Sequence, residues 1–389
     1  MRLKLKNTPE QVELIKSMGS KNSIVAREAS EAFAAFLGPV VQKVLQQAAT
    51  AGAIYTDAPF NQDEGASYPL DLYYNETNDG YVSIWSQNVA GGLPTSQDVS
   101  AIQELKIATY RLDTAVSITK KYARQARLDV VSKLIERMSQ EVLLKQERNA
   151  WAVALYALAN ASTSHVTAGS VGITNLASGT HVIPAHNTNV FQLQDLNKLM
   201  TLNKRINQSW ASGTADAPYS AGITDMYVSP EIKEQIRAFA YQPMNTRQAT
   251  SGVSSIPLPD NIRTDVFNQA GMQEIYGVNI VELNELGIGQ KYNTLFDGFE
   301  AGSAKIAPHA SNAGEADVFA GATHELAVGV DNSKGAFVRA ISVDADTGDT
   351  FTTQPDDQFT QRNERIGFYG SLEEGRVCLD ARAIVGLTV

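Results

Sequence analysis

From Leu128 to Ala161 the chain runs thirty-four residues without a glycine or a proline. Those two residues are the strongest helix breakers, so their absence over this length constrains the fold more than any other feature. Leu128, Val131, Ile135, Met138 and Val142 recur at helical spacing, and Ala152 and Tyr156 extend the apolar stripe. The spacing predicts one helix about 50 Å long, at about 1.5 Å per residue.

Elements of both kinds surround it. Thr8-Pro9-Glu10-Gln11 predicts a capped helix with proline at its first position, stopped at Gly19. A second helical stretch spans Ser23 to Ala51 with a break at Gly38-Pro39. Asn78-Asp79-Gly80 is a hairpin turn signal between strands Tyr68 to Asn75 and Tyr81 to Val89. Leu105 to Thr119 alternates as a strand, with a phase change before Tyr110 that implies a bulge or bend. A helix is expected from Phe191 to Asn207, with Leu193, Leu196, Met200 and Asn203 inward. Strand Met226 to Val228 leads into a helix capped by Ser229-Pro230-Glu231 and reaching Tyr241. Beyond Gly252 the pattern predicts strands at Glu274 to Leu283, Thr294 to Phe299, Glu325 to Val330 and Ala336 to Val343. Two final strands, Arg365 to Tyr369 and Arg376 to Leu387, complete a mixed α+β reading. At 389 residues the chain is long enough for two or three domains.

The sign of the charge changes along the chain. Residues 53–101 hold Asp57, Asp63, Glu64, Asp71, Glu76, Asp79 and Asp98 and no lysine or arginine, whereas 102–161 hold ten basic and six acidic residues. A net charge of −10 argues against a general nucleic-acid binder, which needs a basic surface. No signal peptide or membrane-spanning run is read from the sequence, and a single cysteine, Cys378, excludes an internal disulfide framework. A long acidic hairpin with little core of its own reaches for a partner, because long protruding loops are usually functional.

Chemistry-bearing motifs are scarce. There is no phosphate-binding loop, dinucleotide fingerprint, zinc-protease helix or serine-hydrolase elbow. Asp346-Thr347-Gly348 matches an aspartic-protease tripeptide, but it sits in the polar run Asp344 to Asp349 and reads as a turn. As a calcium loop the same run has Gly and Asp in the wrong order and Pro355 in place of the closing glutamate. His181 and His186 are five apart in a loop, and Cys378 lies in an apolar strand pattern, so neither a metal nor a nucleophile is expected. No catalytic residue, cofactor or metal is assigned.

The order of parts resembles the tailed-phage major capsid proteins of the Hong Kong 97-like fold. Tyr227-Val228-Ser229-Pro230-Glu231 resembles that family's strand-to-helix step. Ile275-Tyr276-Gly277-Val278-Asn279-Ile280-Val281 resembles its axial-domain segment, and Arg365 to Gly370 followed by Ala381 to Gly386 its terminal strands. The resemblance implies an N-terminal arm at 1–52, an extended β-hairpin loop at 53–101 and a peripheral domain at 102–250 with its spine helix at about 128–161. An axial domain at 251–360 and returning C-terminal strands at 361–389 complete the layout.

It further implies a non-enzymatic subunit that self-assembles into hexamers and pentamers of an icosahedral head enclosing double-stranded DNA. The partners implied are copies of itself, a scaffolding protein, a portal and a cement protein, with assembly in the host cytoplasm, a place in the virion and no membrane. The expected inter-subunit contacts join Asp63, Glu64, Asp71, Tyr73, Tyr74, Glu76, Tyr81 and Trp85 of the loop to Lys120, Lys121, Arg124 and Arg127 of a neighbour. The acidic loop has no lysine, so the isopeptide weld of some relatives is unavailable there. An encapsulin-like cargo shell, a tail tube or sheath component, and an enzyme with an unrecognised site are the alternatives.

Overall fold

The computed structural model describes residues 8–47, 50–61, 65–69, 104–125, 128–163, 179–186, 189–206, 222–239, 264, 274–300, 319–344, 348, 350–356 and 364–389. In chain order the elements are α1 (Pro9–Met18), α2 (Ser23–Gln47), β1 (Tyr55–Asn61), β2 (Ser67–Pro69), β3 (Glu104–Lys106), β4 (Thr109–Thr119), α3 (Lys120–Arg124) and α4 (Leu128–Asn160). They continue with β5 (Val182–Pro184), α5 (Leu193–Ile206), β6 (Asp225–Val228), α6 (Pro230–Ala238), β7 (Glu274–Ile275), β8 (Val278–Glu282) and α7 (Lys291–Glu300). The last are β9 (Leu326–Val330), β10 (Phe337–Val343), β11 (Thr352–Asp356), β12 (Arg365–Cys378) and β13 (Ile384–Thr388). No helix among the described residues is long and apolar enough to cross a membrane.

The chain divides into two compact units. Of the described residues, the first takes those within Met1–Pro69, Glu104–Ala150 and Val338–Val377. Its sheet runs β1-β10-β12-β11, with β4 also paired to β12. β4 and β12 are antiparallel in full register, from Thr109 opposite Gly375 to Thr119 opposite Arg365. That register sends Ile118, Ile366, Phe368 and Leu372 into one core with Phe33 of α2 and with Val131, Ile135, Met138 and Val142 of α4. Phe33 and Phe368 meet with ring centroids 5.2 Å apart. Burying one such aromatic contributes about 2 kcal/mol by area alone. A separate two-stranded ladder pairs β2 with β3, Pro69 lying opposite Glu104.

The second unit takes the described residues within Trp151–Phe337 and Cys378–Val389. Its sheet runs β5-β13-β9-β6-β8-β7. β9 and β13 are buried at every position, which is why they read as continuous apolar runs rather than alternating ones. Leu196, Leu199, Leu202 and Ile206 of α5 pack with Ile232 and Ile236 of α6 in the same core. Ser229 caps α6 as expected, its hydroxyl accepting from Ile232 N at 3.1 Å. Trp151 stacks edge-on against Tyr227 at 4.7 Å.

Several expectations are corrected. α2 passes through Gly38-Pro39 unbroken; the fixed φ of proline is itself helical, so Pro39 removes one hydrogen bond without forcing the chain out of the helix. The phase change before Tyr110 is a break between two strands of different sheets, not a bulge, because β3 pairs with β2 and β4 with β12. Glu274 to Leu283 is a hairpin, turned at Tyr276 and Gly277, both with positive φ as a two-residue turn of this kind demands. Residues 294–299 are helical, within α7, which buries Tyr292 and Phe296 one turn apart. The last strands are divided differently: β12 is one strand through Arg376, and a 3₁₀ turn at Ala381–Ala383 precedes β13. α6 ends at Ala238, short of Tyr241, while Asn207 lies outside the described residues. Strand β11 carries no signal that the sequence reading used.

α4 matches its expected span to within a residue, but Tyr156 is 57% exposed while Ala150, Trp151, Ala154, Leu155 and Leu158 are buried. From Val142 the buried positions advance mostly in steps of four. Each such step carries the stripe about 40° further round the helix, away from Tyr156.

In the second unit His181 is buried, with Nδ1 at 3.1 Å from Ala381 O and 3.2 Å from Ile384 O, and Nε2 at 2.7 Å from the Thr163 hydroxyl. Two carbonyls can only accept, so Nδ1 carries the proton and Nε2 accepts from Thr163. Burial lowers its pKa from 6.5 to about 4, although the two carbonyls pull the other way. A folded value below the unfolded one means stability that is full above pH 6.5 and is lost as pH falls towards 4. The loss should reach roughly 3 kcal/mol. Denaturant unfolding followed by tryptophan fluorescence between pH 7.5 and 4.5 should show this slope, and His181→Asn should flatten it.

Candidate functional site

Of the residues expected to make contacts between subunits, Lys120, Lys121 and Arg124 fall among the described residues, gathered on the single turn of α3. Asp63, Glu64, Asp71, Tyr73, Tyr74, Glu76, Tyr81, Trp85 and Arg127 lie outside them, as do the Asn78-Asp79-Gly80 turn and the two expected hairpin strands, except Tyr68 and Pro69, which fall in β2. β4 ends at Thr119, whose extended backbone opens α3, and Lys120 N donates to Glu364 O at 2.8 Å. Ala123 turns into the core, leaving Lys121, Tyr122 and Arg124 on the surface. α3 thus presents a small cationic face with one accessible aromatic ring.

Arg124 also has a structural task. Its Nε donates to Gly19 O at 2.8 Å, tying α3 to the end of α1. Gly19 ends α1 as expected, with φ −82°, so its glycine is not required by a left-handed backbone. The requirement is space: a Cβ there would lie 2.8 Å from Arg124 Cγ and 2.9 Å from its backbone nitrogen.

Sequence reasoning missed a concentrated group of charges among the described residues, which is buried. Glu374 on β12 has no solvent exposure and faces the core. Its carboxylate accepts from Tyr110 Oη at 2.6 Å, Gln146 Nε2 at 3.1 Å and Arg339 Nε at 2.9 Å, with Arg376 Nη2 at 3.3 Å. Arg376 lies over the Tyr55 ring at 4.9 Å, and Arg339 reaches Asp57 at 3.5 Å. Burial by itself would raise the Glu374 pKa, but Arg376, Arg339 and the Tyr110 hydroxyl outweigh it and hold the carboxyl below its ordinary range. Burial, then the Glu374 charge, pushes Tyr110 up to about 12. The available signal was phase: Glu374 falls on the same alternation as Ile366, Phe368 and Leu372, but it lies between the two strands read from the sequence and belongs to neither.

These groups are engaged with one another. Burial and the Asp380 charge push the Cys378 thiol up to about 12, which keeps it protonated. Gly348 N donates to Asp344 O at 2.9 Å, closing a turn as expected for the run that resembled a protease or calcium motif. Among the described residues no group of three His, Cys, Asp or Glu side chains is placed to hold a metal ion.

No protein-family model and no curated protein matches the chain. Solved structures do. A capsid structure of the cyanophage P-SCSP1u superposes with a TM-score of 0.50 at 15% identity, covering 87% of this chain and 88% of that one. The capsid of an empty GTA particle gives 0.47 at 12% identity over 87% and 89%. An encapsulin complex from Synechococcus elongatus gives 0.36 at 9% identity over 73% and 74%. The chain therefore has the fold of a phage capsid subunit, in agreement with the Hong Kong 97-like α+β architecture read from the sequence.

Two outcomes follow from the buried charges and the tight turn. Glu374→Gln removes the buried carboxylate that Arg339 and Arg376 share and should cost about 3–5 kcal/mol in denaturant unfolding. Because the folded pKa is depressed, the Glu374 contribution is present above the ordinary value of 4.5 and is lost as pH falls through the lowered value. The variant should therefore lose stability less steeply below pH 4.5 than the parent. Gly19→Ala should cost roughly 1–3 kcal/mol by crowding Arg124, measured the same way.

Proposed function

We propose that this chain is the major shell subunit of a tailed-phage head, a non-enzymatic protein whose copies form the hexamers and pentamers of an icosahedral capsid around double-stranded DNA. The observation that carries the proposal is the fold match to the cyanophage capsid over most of both chains. The charge pattern supports it: an acidic segment without a single basic residue precedes a strand and helix rich in lysine and arginine. Closed shells need contacts much larger than one compact surface gives, and complementary segments on neighbouring copies supply them.

In this reading Asp63, Glu64, Asp71, Glu76 and the rings of Tyr73, Tyr74, Tyr81 and Trp85 meet Lys120, Lys121, Arg124 and Arg127 of the adjacent subunit. A scaffolding protein, a portal and a cement protein would be the further partners. Assembly would take place in the host cytoplasm, and the product would be the virion shell. DNA would be enclosed without sequence-specific contact, in keeping with the net charge of −10.

Negative-stain electron microscopy of the purified chain, alone and with its scaffold supplied, tests the proposal. Closed shells, or rings of five and six, are expected. A monomer under both conditions, or helical tubes, would overturn it, and native shells filled with an enzyme instead of DNA would identify a cargo compartment. The docking of the acidic segment is tested by Lys121→Glu. Shell yield should fall at least about tenfold with no change in melting temperature, since surface substitutions of this kind leave folding nearly untouched. Undiminished yield would refute the docking while leaving the shell function in place.

A further inference from the structure

Sheet edges among the described residues are short or carry a proline, with one exception. β1 contains Pro59 and β11 contains Pro355. β2 ends in Pro69 and β5 in Pro184, while β3 has three residues and β7 two. Short length and proline keep an edge from pairing with another chain, because proline offers no N–H. β4 has neither protection: its eleven residues include no proline, glycine or lysine. β12 pairs with one side of β4 and carries β11 on its own far side over Gly367 to Ser371, so among the described residues β4 is the sheet's outer strand.

The core is also left unfinished at this edge. On β12, Phe368 and Leu372 are 3% and 2% exposed, whereas Val116 and Leu112 directly opposite them on β4 are only half-buried. A further strand alongside β4 would complete their burial.

We propose that the free edge of β4 pairs antiparallel with β4 of a second copy of this chain, about a twofold axis at Leu112. Charge selects both the partner and the register. Arg111 and Asp113 lie two residues apart on the outer face, 52% and 49% exposed and 2.8 Å from each other. A twofold at Leu112 sets each Arg111 opposite Asp113 of the other copy. Glu373 already stands beside Arg111 on β12, so each guanidinium then lies between two carboxylates of the joined sheet. Moving the axis by one residue in either direction sets Arg111 against Arg111, or Asp113 against Asp113, which opposes slippage. On the inner face the same register sets Leu112 against Leu112 and Tyr110 against Thr114, closing the apolar layer.

The inference stands on the sheet edge and does not rest on the capsid reading. It is tested on the full chain in a Cys378→Ser background by introducing Leu112→Cys. Opposed residues in an antiparallel pair have Cα atoms about 4.5–5.5 Å apart, within disulfide reach. Mild oxidation should yield a covalent dimer, while Ala115→Cys, which would face Thr109, should not. Arg111→Asp should weaken dimerisation in sedimentation by roughly tenfold or more, since two opposed pairs turn repulsive at once. Adding Asp113→Arg should restore it. No cross-link at Leu112→Cys, or dimerisation indifferent to Arg111→Asp in protein with an unchanged circular dichroism spectrum, would overturn the pairing. Particles that assemble without the cross-link would refute this edge contact alone, and a cross-linked dimer that never forms particles would leave it standing while the shell function failed.

Discussion

A carboxylate without access to water is tolerated only where fixed cations and donors replace its hydration, and in the first unit Glu374 sets that condition. Its partners come from four elements: Tyr110 from β4, Gln146 from α4, Arg339 from β10 and Arg376 from β12 itself. Satisfying one charge therefore fixes the mutual placement of the three strands and the helix that enclose it. The pairing of Glu374 with Tyr110 also locks register. A slip of one residue between β4 and β12 would turn Tyr110 to the outer face and carry the inward apolar set with it. Apolar burial supplies most of the favourable free energy, as in any core, and opposes a one-residue slip, but it discriminates less between registers two residues apart, which keep the same face inward. The buried ion group discriminates sharply.

What the sequence revealed follows how local each signal is. α4 was legible almost to the residue, because a long stretch without breakers and a stripe at helical spacing depend on nothing outside it. The Ser229-Pro230 cap and the alternation of β4 were legible for the same reason. α7 was misread because Thr294, Leu295 and Phe296 make a short apolar cluster, and such runs fit strand and helix alike. The hairpin at Tyr276-Gly277 was missed because tyrosine with φ 53° is not a residue that announces a turn. The Glu374 group was illegible as a group. Tyr110 and Glu374 stand 264 residues apart, and only the folded sheet makes them neighbours.

The candidate contact surface divides in the same way. The change of charge sign along the chain is a one-dimensional property and needed no structure. That Lys120, Lys121 and Arg124 share one turn also follows from their spacing. The hold of Arg124 on Gly19 does not, since it joins two helices that composition and periodicity leave unrelated. One cation of the surface is thus partly committed to holding α1 in place, and it is not interchangeable with its two neighbours.

The small ladder of β2 and β3 has a consequence for how such a chain changes over time. Pro69 lies opposite Glu104, so the chain positions on either side of residues 70–103 are held together at one place. Closing a longer excursion across that gate costs only about 0.6 kcal/mol for each doubling of its length. Insertions and deletions there are nearly free to the unit that anchors them. In lineages descended from a common ancestor, the distance between these two strands should drift most widely while the ladder itself stays put, making this the joint at which relatives diverge in reach without renegotiating their core.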